Sequence, residues 1–228
     1  MTALAEPVTL TAASFADAWR GAIAAAAKDD ERPALDRTVF VETYRHGVRF
    51  TSTDSFVISS TVTATTEDGY PTLDEKPDVE LLAADPDGRA TALAGYAAKV
   101  AARAEKNGMD PPLVQLSTRT ADDDGQPALT PDLAVEELVI DLEGHDVVAI
   151  PIIETGFPGY RSILVTDKKP KPPGEYGLSD HVMATVLAIV KAVGSYVHHE
   201  SADADAGFRF RVLGTNCRCD GVYMGVRV

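Results

Sequence analysis

Only two of the 228 residues are cysteine, Cys217 and Cys219, and they stand one residue apart. That spacing is too tight for an ordinary structural disulfide, and two thiols are too few for a cysteine-built zinc site, so both are expected as free thiols. Aromatic residues are scarce at 7%, with a single tryptophan, Trp19. The longest apolar stretches, such as 182–193, fall short of the ~20 residues that a membrane-spanning helix needs. Residues 1–7 lack the basic start and apolar core of a signal peptide, so the chain is expected in the cytoplasm with no membrane partner. Positive charge is also short: 21 Lys and Arg stand against 35 Asp and Glu, a formal net charge of −14. That balance argues against non-specific coating of nucleic acid, because phosphate binding is driven by Lys and Arg that release counterions. It leaves room for a local basic surface. No glycine-rich phosphate loop of the required spacing is present, and no cofactor is implied.

With 45% hydrophobic and 25% charged residues, the composition is that of a globular protein able to bury a sizeable core. The element order repeats. Over 8–66 a short extended piece precedes a helix reaching to about Lys28, for which Ser14 is a plausible cap and Phe15, Trp19, Ile23 and Ala26 form the buried stripe. Three β-favouring runs follow, at 38–44, 48–53 and 56–64. Over 79–155 the same order returns: an extended start, a helix over 88–106 ended by Asn107-Gly108, and strands at 113–118, 136–142 and 147–154. The proline-rich stretch 156–174, with Lys168, Lys169 and Lys171, reads as an extended linker. A third unit occupies 175–228, with Ser179 capping a helix whose stripe is Val182, Val186, Ile189 and Val193, and strands at 196–200, 208–213 and 222–228. The chain therefore divides into a domain of two β-α-β-β-β units over 1–165 and a half-domain over 175–228, an α+β class.

Lys99, Arg103 and Lys106 recur at i, i+4, i+7 on the second helix, with Arg89 two to three turns earlier. Arg20 and Lys28 share a face of the first helix, and Lys191 stands out on the third. Taken alone, such faces are the solvated sides of amphipathic helices.

Four features shift that reading. The run 48–58, Val-Arg-Phe-Thr-Ser-Thr-Asp-Ser-Phe-Val-Ile, resembles the strand, Thr-Asp turn and strand of the bacterial DNA polymerase III beta-subunit sliding clamps. Residues 156–164, Gly-Phe-Pro-Gly-Tyr-Arg-Ser-Ile-Leu, are similar to the Phe-Pro-Asp-Tyr-Arg linker between the second and third domains of that family. Residues 222–228, Val-Tyr-Met-Gly-Val-Arg-Val, resemble its Val-Val-Met-Pro-x-Arg-Leu tail. The β-α-β-β-β order is that of the half-domain from which all such clamps are built. The resemblance implies a clamp fold, with helices lining an inner face and antiparallel sheets outside, and a non-enzymatic processivity factor encircling double-stranded DNA. It implies DNA-facing roles for Arg20, Lys28, Arg89, Lys99, Arg103, Lys106 and Lys191. It further implies a hydrophobic groove for short peptides of a polymerase and a clamp loader, lined by Thr53, Ser55, Phe56, Ile58, Pro158, Tyr160, Ile163, Val222, Met224, Val226 and Arg227. Ser55-Phe56-Val57 stand where the family usually has Gly-His-Arg, and Gly225 replaces the tail proline, so a different peptide preference is implied. The family closes rings of twelve units. Three units per chain imply a homo-oligomeric ring of four copies, or of three if a fourth unit is hidden, and the reduced size points to a phage or mobile-element clamp.

Other chemistry has less support. His198, His199 and Glu200 with the two cysteines could be imagined as a metal site, but adjacent strand residues point to opposite faces. Asp122, Asp123 and Asp124 read as a solvated loop, and no metal is expected. Two alternatives stay open: a small α/β enzyme using Asp54, His145 or His198, and a clamp-like peptide-binding adaptor that does not encircle DNA.

Overall fold

The computed structural model describes residues 4, 6–28, 35–65, 69–121, 135–154, 156–164, 176–194, 196–201, 207–224 and 226–227. The first unit comprises β1 (Val8–Thr11), α1 (Ala12–Ile23), β2 (Thr38–Tyr44), β3 (Gly47–Thr53) and β4 (Val57–Ala64). The second comprises β5 (Val79–Ala84), α2 (Arg89–Lys106), β6 (Leu113–Ala121), β7 (Val135–Leu142) and β8 (Val147–Pro151). After α3 (Tyr160–Leu164), the third comprises β9 (Tyr176–Gly177), α4 (Asp180–Val193), β10 (Tyr196–Ser201), β11 (Phe208–Leu213) and β12 (Arg218–Tyr223), with a short β13 (Val226–Arg227) behind them.

Each of the first two units gives its opening strand to the other. β1 pairs antiparallel with β6, Val8 opposite Leu116, while β5 pairs antiparallel with β2, Thr38 opposite Ala84. The two units are thereby related by an internal pseudo-two-fold, and α1 packs beside α2, with Trp19 Nε1 donating to Thr91 Oγ at 3.3 Å. The third unit joins differently. β12 adds to β4 in antiparallel register, Gly221 opposite Ser59, giving a seven-stranded sheet ordered β10-β11-β12-β4-β3-β2-β5 beside the four-stranded sheet β1-β6-β7-β8. Gly221 is required there, because an added Cβ would fall 2.2 Å from the Phe210 ring and 2.7 Å from the Ile58 carbonyl oxygen.

One core runs between helices and sheets through all three units, from Leu116, Leu138 and Ile140 through Phe15, Trp19 and Phe50 to Ile189 and Phe210. Phe15, Trp19 and Phe50 meet with ring centroids 5.7–6.2 Å apart. The long sheet also buries hydroxyls, several of which are paired internally: Thr51 Oγ donates to Ser60 Oγ at 3.0 Å, and Ser59 Oγ donates to the Gly21 carbonyl at 2.7 Å. Pairing removes most of the desolvation cost that such groups would otherwise carry. Among the described residues no helix is long and apolar enough to cross a membrane.

Four details differ from the sequence reading. α1 is capped by Thr11, whose hydroxyl accepts from Ser14 N at 3.2 Å and donates to Ser14 Oγ at 2.8 Å; Ser14 itself sits inside the first turn. The helix stops at Ile23 instead of Lys28 because Ala27 is drawn into a bridge with Asp36 and accepts from Arg37 N. The last long strand is Arg218–Tyr223 in place of 222–228. Asp220 and Gly221 are weak strand formers, yet β4 pairing and the Asp220 carboxylate, which accepts from Arg211 Nε at 2.7 Å and Arg218 Nε at 3.1 Å, hold them extended. The linker read as extended contains the helical turn α3 at 160–164, while 165–174 lie outside the described residues.

α2 has Gly88 at its N-cap in the left-handed region, φ 69°, with no side-chain cap of its own. The buried Asp85 carboxylate supplies one, accepting from Ala90 N at 3.0 Å, Thr91 N at 2.9 Å and Thr91 Oγ at 2.7 Å. Asp85→Ala leaves those donors open and is expected to cost about 1–2 kcal/mol, measured as a lower midpoint in chemical denaturation with an unchanged slope.

Candidate functional site

The packing that buries the apolar stripes of α1, α2 and α4 turns their polar sides away from the sheets. Arg20, Lys28, Arg89, Lys99, Arg103, Lys106 and Lys191 are all exposed. The three helices carry six Lys and Arg against Asp17, Glu105 and Asp180, in a chain of net charge −14. Arg20 and Lys28 come together with Arg37 around a depression of about 390 Å³ where α1 meets α2 and α4. Lys99 and Arg103 line a second one, of about 400 Å³, beside Tyr96 and His145. Arg37, held at φ 47° with its guanidinium donating to the Pro86 carbonyl, was not apparent from the sequence, since it lies in a loop with no periodicity.

On the opposite face of the long sheet lies a second, smaller apolar cluster. Ile58 and Val222, directly opposite each other in the β4–β12 pair, pack with Tyr160 and Leu164 of α3 and with Phe40, Leu73 and Phe157. Phe40 and Phe157 stack with centroids 5.1 Å apart. Exposed Ile163 follows on α3, and exposed Met224 follows β12, its N–H donating to the Phe56 carbonyl at 2.9 Å. Pro158 is exposed, its carbonyl accepting from Tyr160 N at 2.6 Å. Thr53 is buried and accepts from Ser55 N at 3.0 Å across a turn in which Ser55 adopts φ 78°. Phe56 points to the other face: with Asp54 it borders a cleft of about 530 Å³ between α1 and α4, its ring edge-on to His181. The side chains of Val226 and Arg227 lie outside the described residues.

What anchors this cluster is a carboxylate. Glu42 of β2 is fully buried and accepts from the Tyr160 hydroxyl and, at 2.6 Å and 3.0 Å, from Arg161 Nη2 and Nε. Arg161 also donates to the carbonyls of Leu73 at 2.8 Å and Glu75 at 2.7 Å and to the Tyr44 hydroxyl at 2.5 Å. The fully buried Arg49 lies 4.0 Å from Glu42 and donates to the Pro71 carbonyl at 2.7 Å. Burial first, and the Glu42 charge second, push the Tyr160 phenol well above its usual range, so it stays a donor. Tyr160 is therefore a buried clip with little surface of its own. Arg161, Leu164, Phe157, Phe40 and Leu73 join it without having been singled out, although Arg161 and Phe157 belong to the same Phe-Pro-x-Tyr-Arg phrase.

The other candidates separate. Asp54 Oδ2 lies 2.5 Å from His181 Nε2, while Asp54 Oδ1 accepts from Phe56 N and Val57 N; His145 Nδ1 lies 3.3 Å from the Tyr96 hydroxyl on another unit, and His198 is on β10. No contact joins Asp54, His145 and His198 to one another among the described residues. No cluster of three His, Cys, Asp or Glu suited to a metal occurs among the described residues, and Asp122, Asp123 and Asp124 lie outside them. Cys217 and Cys219 are buried and free, with Cys219 Sγ 3.2 Å from Ser59 Oγ.

Paired β-α-β-β-β units with helices on one face and antiparallel sheets on the other make the architecture of the DNA sliding clamps, and this chain has that fold. Its likeness is to the bacterial form. The DNA polymerase sliding clamp of Pseudomonas aeruginosa superposes with a TM-score of 0.62 at 10% identity, over 100% of this chain and 68% of that one. The Bacillus subtilis clamp does so with a TM-score of 0.60 at 11% identity, over 100% and 66%. DNA polymerase III subunit beta of Borrelia burgdorferi gives 0.58 at 10% identity, over 100% and 64%. The chain spans just under two thirds of the length of the last two. No family model and no curated protein sequence matches it.

Two outcomes follow from the site. Glu42→Ala strands Arg49 in the interior and releases α3, so a loss of about 3–5 kcal/mol is expected, against about 1 kcal/mol for Tyr160→Phe, both read from denaturant midpoints. Burial raises the Cys219 thiol from 9.0 up to about 11. The folded protein then keeps a proton that the unfolded chain loses, so this group's contribution to stability is full below pH 9 and lost between pH 9 and 11. A thiol reagent at pH 8 is expected to label neither cysteine in the native protein and both in denaturant.

Proposed function

We propose that this chain is a DNA sliding clamp, a non-enzymatic processivity factor whose oligomeric ring surrounds duplex DNA and tethers a polymerase. The observation that carries the reading is the coincidence of a clamp fold over the whole chain with a basic helical face on an acidic body. Phosphate contacts from such a face are independent of sequence and screened by salt, which suits a body that must stay on DNA and yet move along it. Arg20, Lys28, Arg89, Lys99, Arg103, Lys106 and Lys191 are the proposed DNA-facing residues. The acidic remainder repels duplex from the outside.

The outer apolar cluster is the proposed docking groove for short peptides of the polymerase and the clamp loader. Ile58, Val222 and Tyr160 form its floor and Ile163, Met224 and Pro158 its exposed rim, with Thr53 and Ser55 at the turn. Apolar floors with exposed apolar rims suit linear peptides, in which a few anchor side chains supply most of the affinity. Phe56, turned toward His181, is proposed to act only through the turn it belongs to. Val226 and Arg227 complete the groove in this reading.

Topology tests encirclement directly. Protein assembled on nicked circular duplex is expected to co-elute with it in gel filtration and to be released when the circle is cut once. The triple variant Lys99→Glu, Arg103→Glu, Lys106→Glu is expected to lose that retention and any stimulation of processive synthesis. Where binding is measurable, the salt slope is expected to fall by about 0.9 per phosphate contact removed. Equal retention on linear and circular DNA, or a triple variant that behaves as the parent, overturns the reading.

A further inference from the structure

The basic face of α2 carries an aromatic ring. Of the phenylalanine, tryptophan and tyrosine residues on the four helices, Phe15, Trp19 and Tyr160 are buried, while Tyr96 is 41% exposed. Tyr96, Lys99, Arg103 and Lys106 follow one another at i, i+3, i+7 and i+10, which sets the ring on the same side of the helix as the three cations. Packing of the helix does not call for it there, because the buried stripe of α2 runs through Ala90, Leu93, Ala94, Ala97 and Ala104.

The ring is held from outside the helix. β7 and β8 join through a tight turn in which Gly144 adopts φ 71° and His145 N donates to the Leu142 carbonyl at 2.9 Å. That turn brings His145 Nδ1 to 3.3 Å from the Tyr96 hydroxyl, with the two rings edge-on, 5.4 Å between centroids and 86° between planes. Fixing the ring in advance removes part of the ordering cost of whatever stacks on it. The depression beside the pair has a volume of about 400 Å³, within the range of about 300–1,000 Å³ that single small ligands occupy. Lys99 and Arg103 stand exposed on its wall, and Val100, Met109 and Pro112 supply apolar surface. Asp110 is the one acid in the lining; Glu105 faces a different depression, with Asp17.

We infer that this pocket binds one unpaired nucleotide of single-stranded DNA, its base laid on the Tyr96 ring and its phosphates on Lys99 and Arg103. The occupant follows from the combination of parts. Free phosphate uses the two cations and leaves the ring and the apolar wall idle. Duplex meets the cations through its backbone, but its base faces are covered by their neighbours in the stack and give the ring nothing to rest on. An unpaired base exposes that face, and stacking on an aromatic side chain then adds to the phosphate contacts. Asn107 and Asp110, both in the lining, offer a donor and an acceptor to the base edge. A body threaded on duplex gains from such a site where pairing stops, because the same helix that tracks the paired backbone then holds the first unpaired residue.

This inference rests on the DNA-facing assignment of Lys99 and Arg103, and it is read with single strands so that the two can fail separately. Binding of a short fluorescein-labelled oligodeoxyadenylate to the full chain is followed by fluorescence anisotropy across salt at neutral pH. Tyr96→Ala is expected to weaken it about 5- to 150-fold with the salt slope unchanged, and Tyr96→Phe, which keeps the ring, to recover most of that loss. Arg103→Ala is expected to lower the slope by about 0.7. Far-UV circular dichroism and the thermal midpoint are expected to show each variant folded, because both side chains are exposed. No measurable binding by the parent at low salt, or a Tyr96→Ala variant that binds as the parent does, overturns the inference. So does a Tyr96→Ala variant whose particle mass changes in light scattering while its single-strand binding does not, since the ring is then a protein contact. A chain retained on circular duplex in which Tyr96→Ala has no effect on single strands overturns the inference and leaves the clamp reading standing. Ring-dependent binding of single strands by a chain never retained on circles supports the inference and overturns the clamp reading instead.

Discussion

Glu42 is the point from which the arrangement of the third unit follows. A carboxylate with no solvent exposure is tolerable only when charge and hydrogen bonds surround it, and here the Tyr160 hydroxyl, the Arg161 guanidinium and Arg49 do so. The consequence is positional. By gripping Tyr160 and Arg161, β2 fixes the segment leaving the second unit across the outer face of the first, which is where Ile58 of β4 and Val222 of β12 need a cover. An apolar clip in the same place would hold as well, but an arginine that donates twice to Glu42 Oε1 and is held also by the Leu73 and Glu75 carbonyls admits one orientation. The outer cluster owes its shape to that single registration.

The same architecture sorts charge. Helix faces turned away from the sheets carry six lysines and arginines against three acids, while many of the acids lie on strands and turns such as Glu80, Glu137, Asp141 and Glu143. Neither set needs partners from the other, and long-range repulsion within the acidic set is relieved by solvent at ordinary salt. A body of this kind separates its two surfaces by charge without separating them into domains.

Much of this was legible in the chain. Ser179 capped its helix as read, accepting from Val182 N, and Asn107-Gly108 ended α2 with Gly108 in the left-handed region. Alternation located most strands because their in-and-out pattern is local information. Three things depended on distant residues and were not legible. Thr11 and Ser14 are both capping residues, and the choice between them was made by β1 pairing with β6. α3 forms in a Pro- and Gly-containing stretch only because Glu42, more than a hundred residues earlier, holds it. Asp220 and Gly221 are strand residues by virtue of β4. For the candidate site, exposure of the basic residues could be read from helical spacing, but the meeting of Arg20 and Lys28 with Arg37 could not, since it depends on how the units dock. The outward and inward turns of Ile58 and Phe56 were likewise set by the sheet.

The exchange of opening strands also imposes an order in time. β1 leaves the ribosome well ahead of its partner β6, which is made about a hundred residues later, Val8 pairing with Leu116. At about 5–20 residues per second, synthesis leaves β1 without its mate for roughly 5–20 s. During that interval α1 has an incomplete core, and β2 waits in turn for β5. The earlier of the two units is thus unable to complete its fold before the later one is made. Nascent chains of this fold must pass through a state whose edges are open, and the pair of units becomes stable in one step when the second helix has been made and β6 follows it.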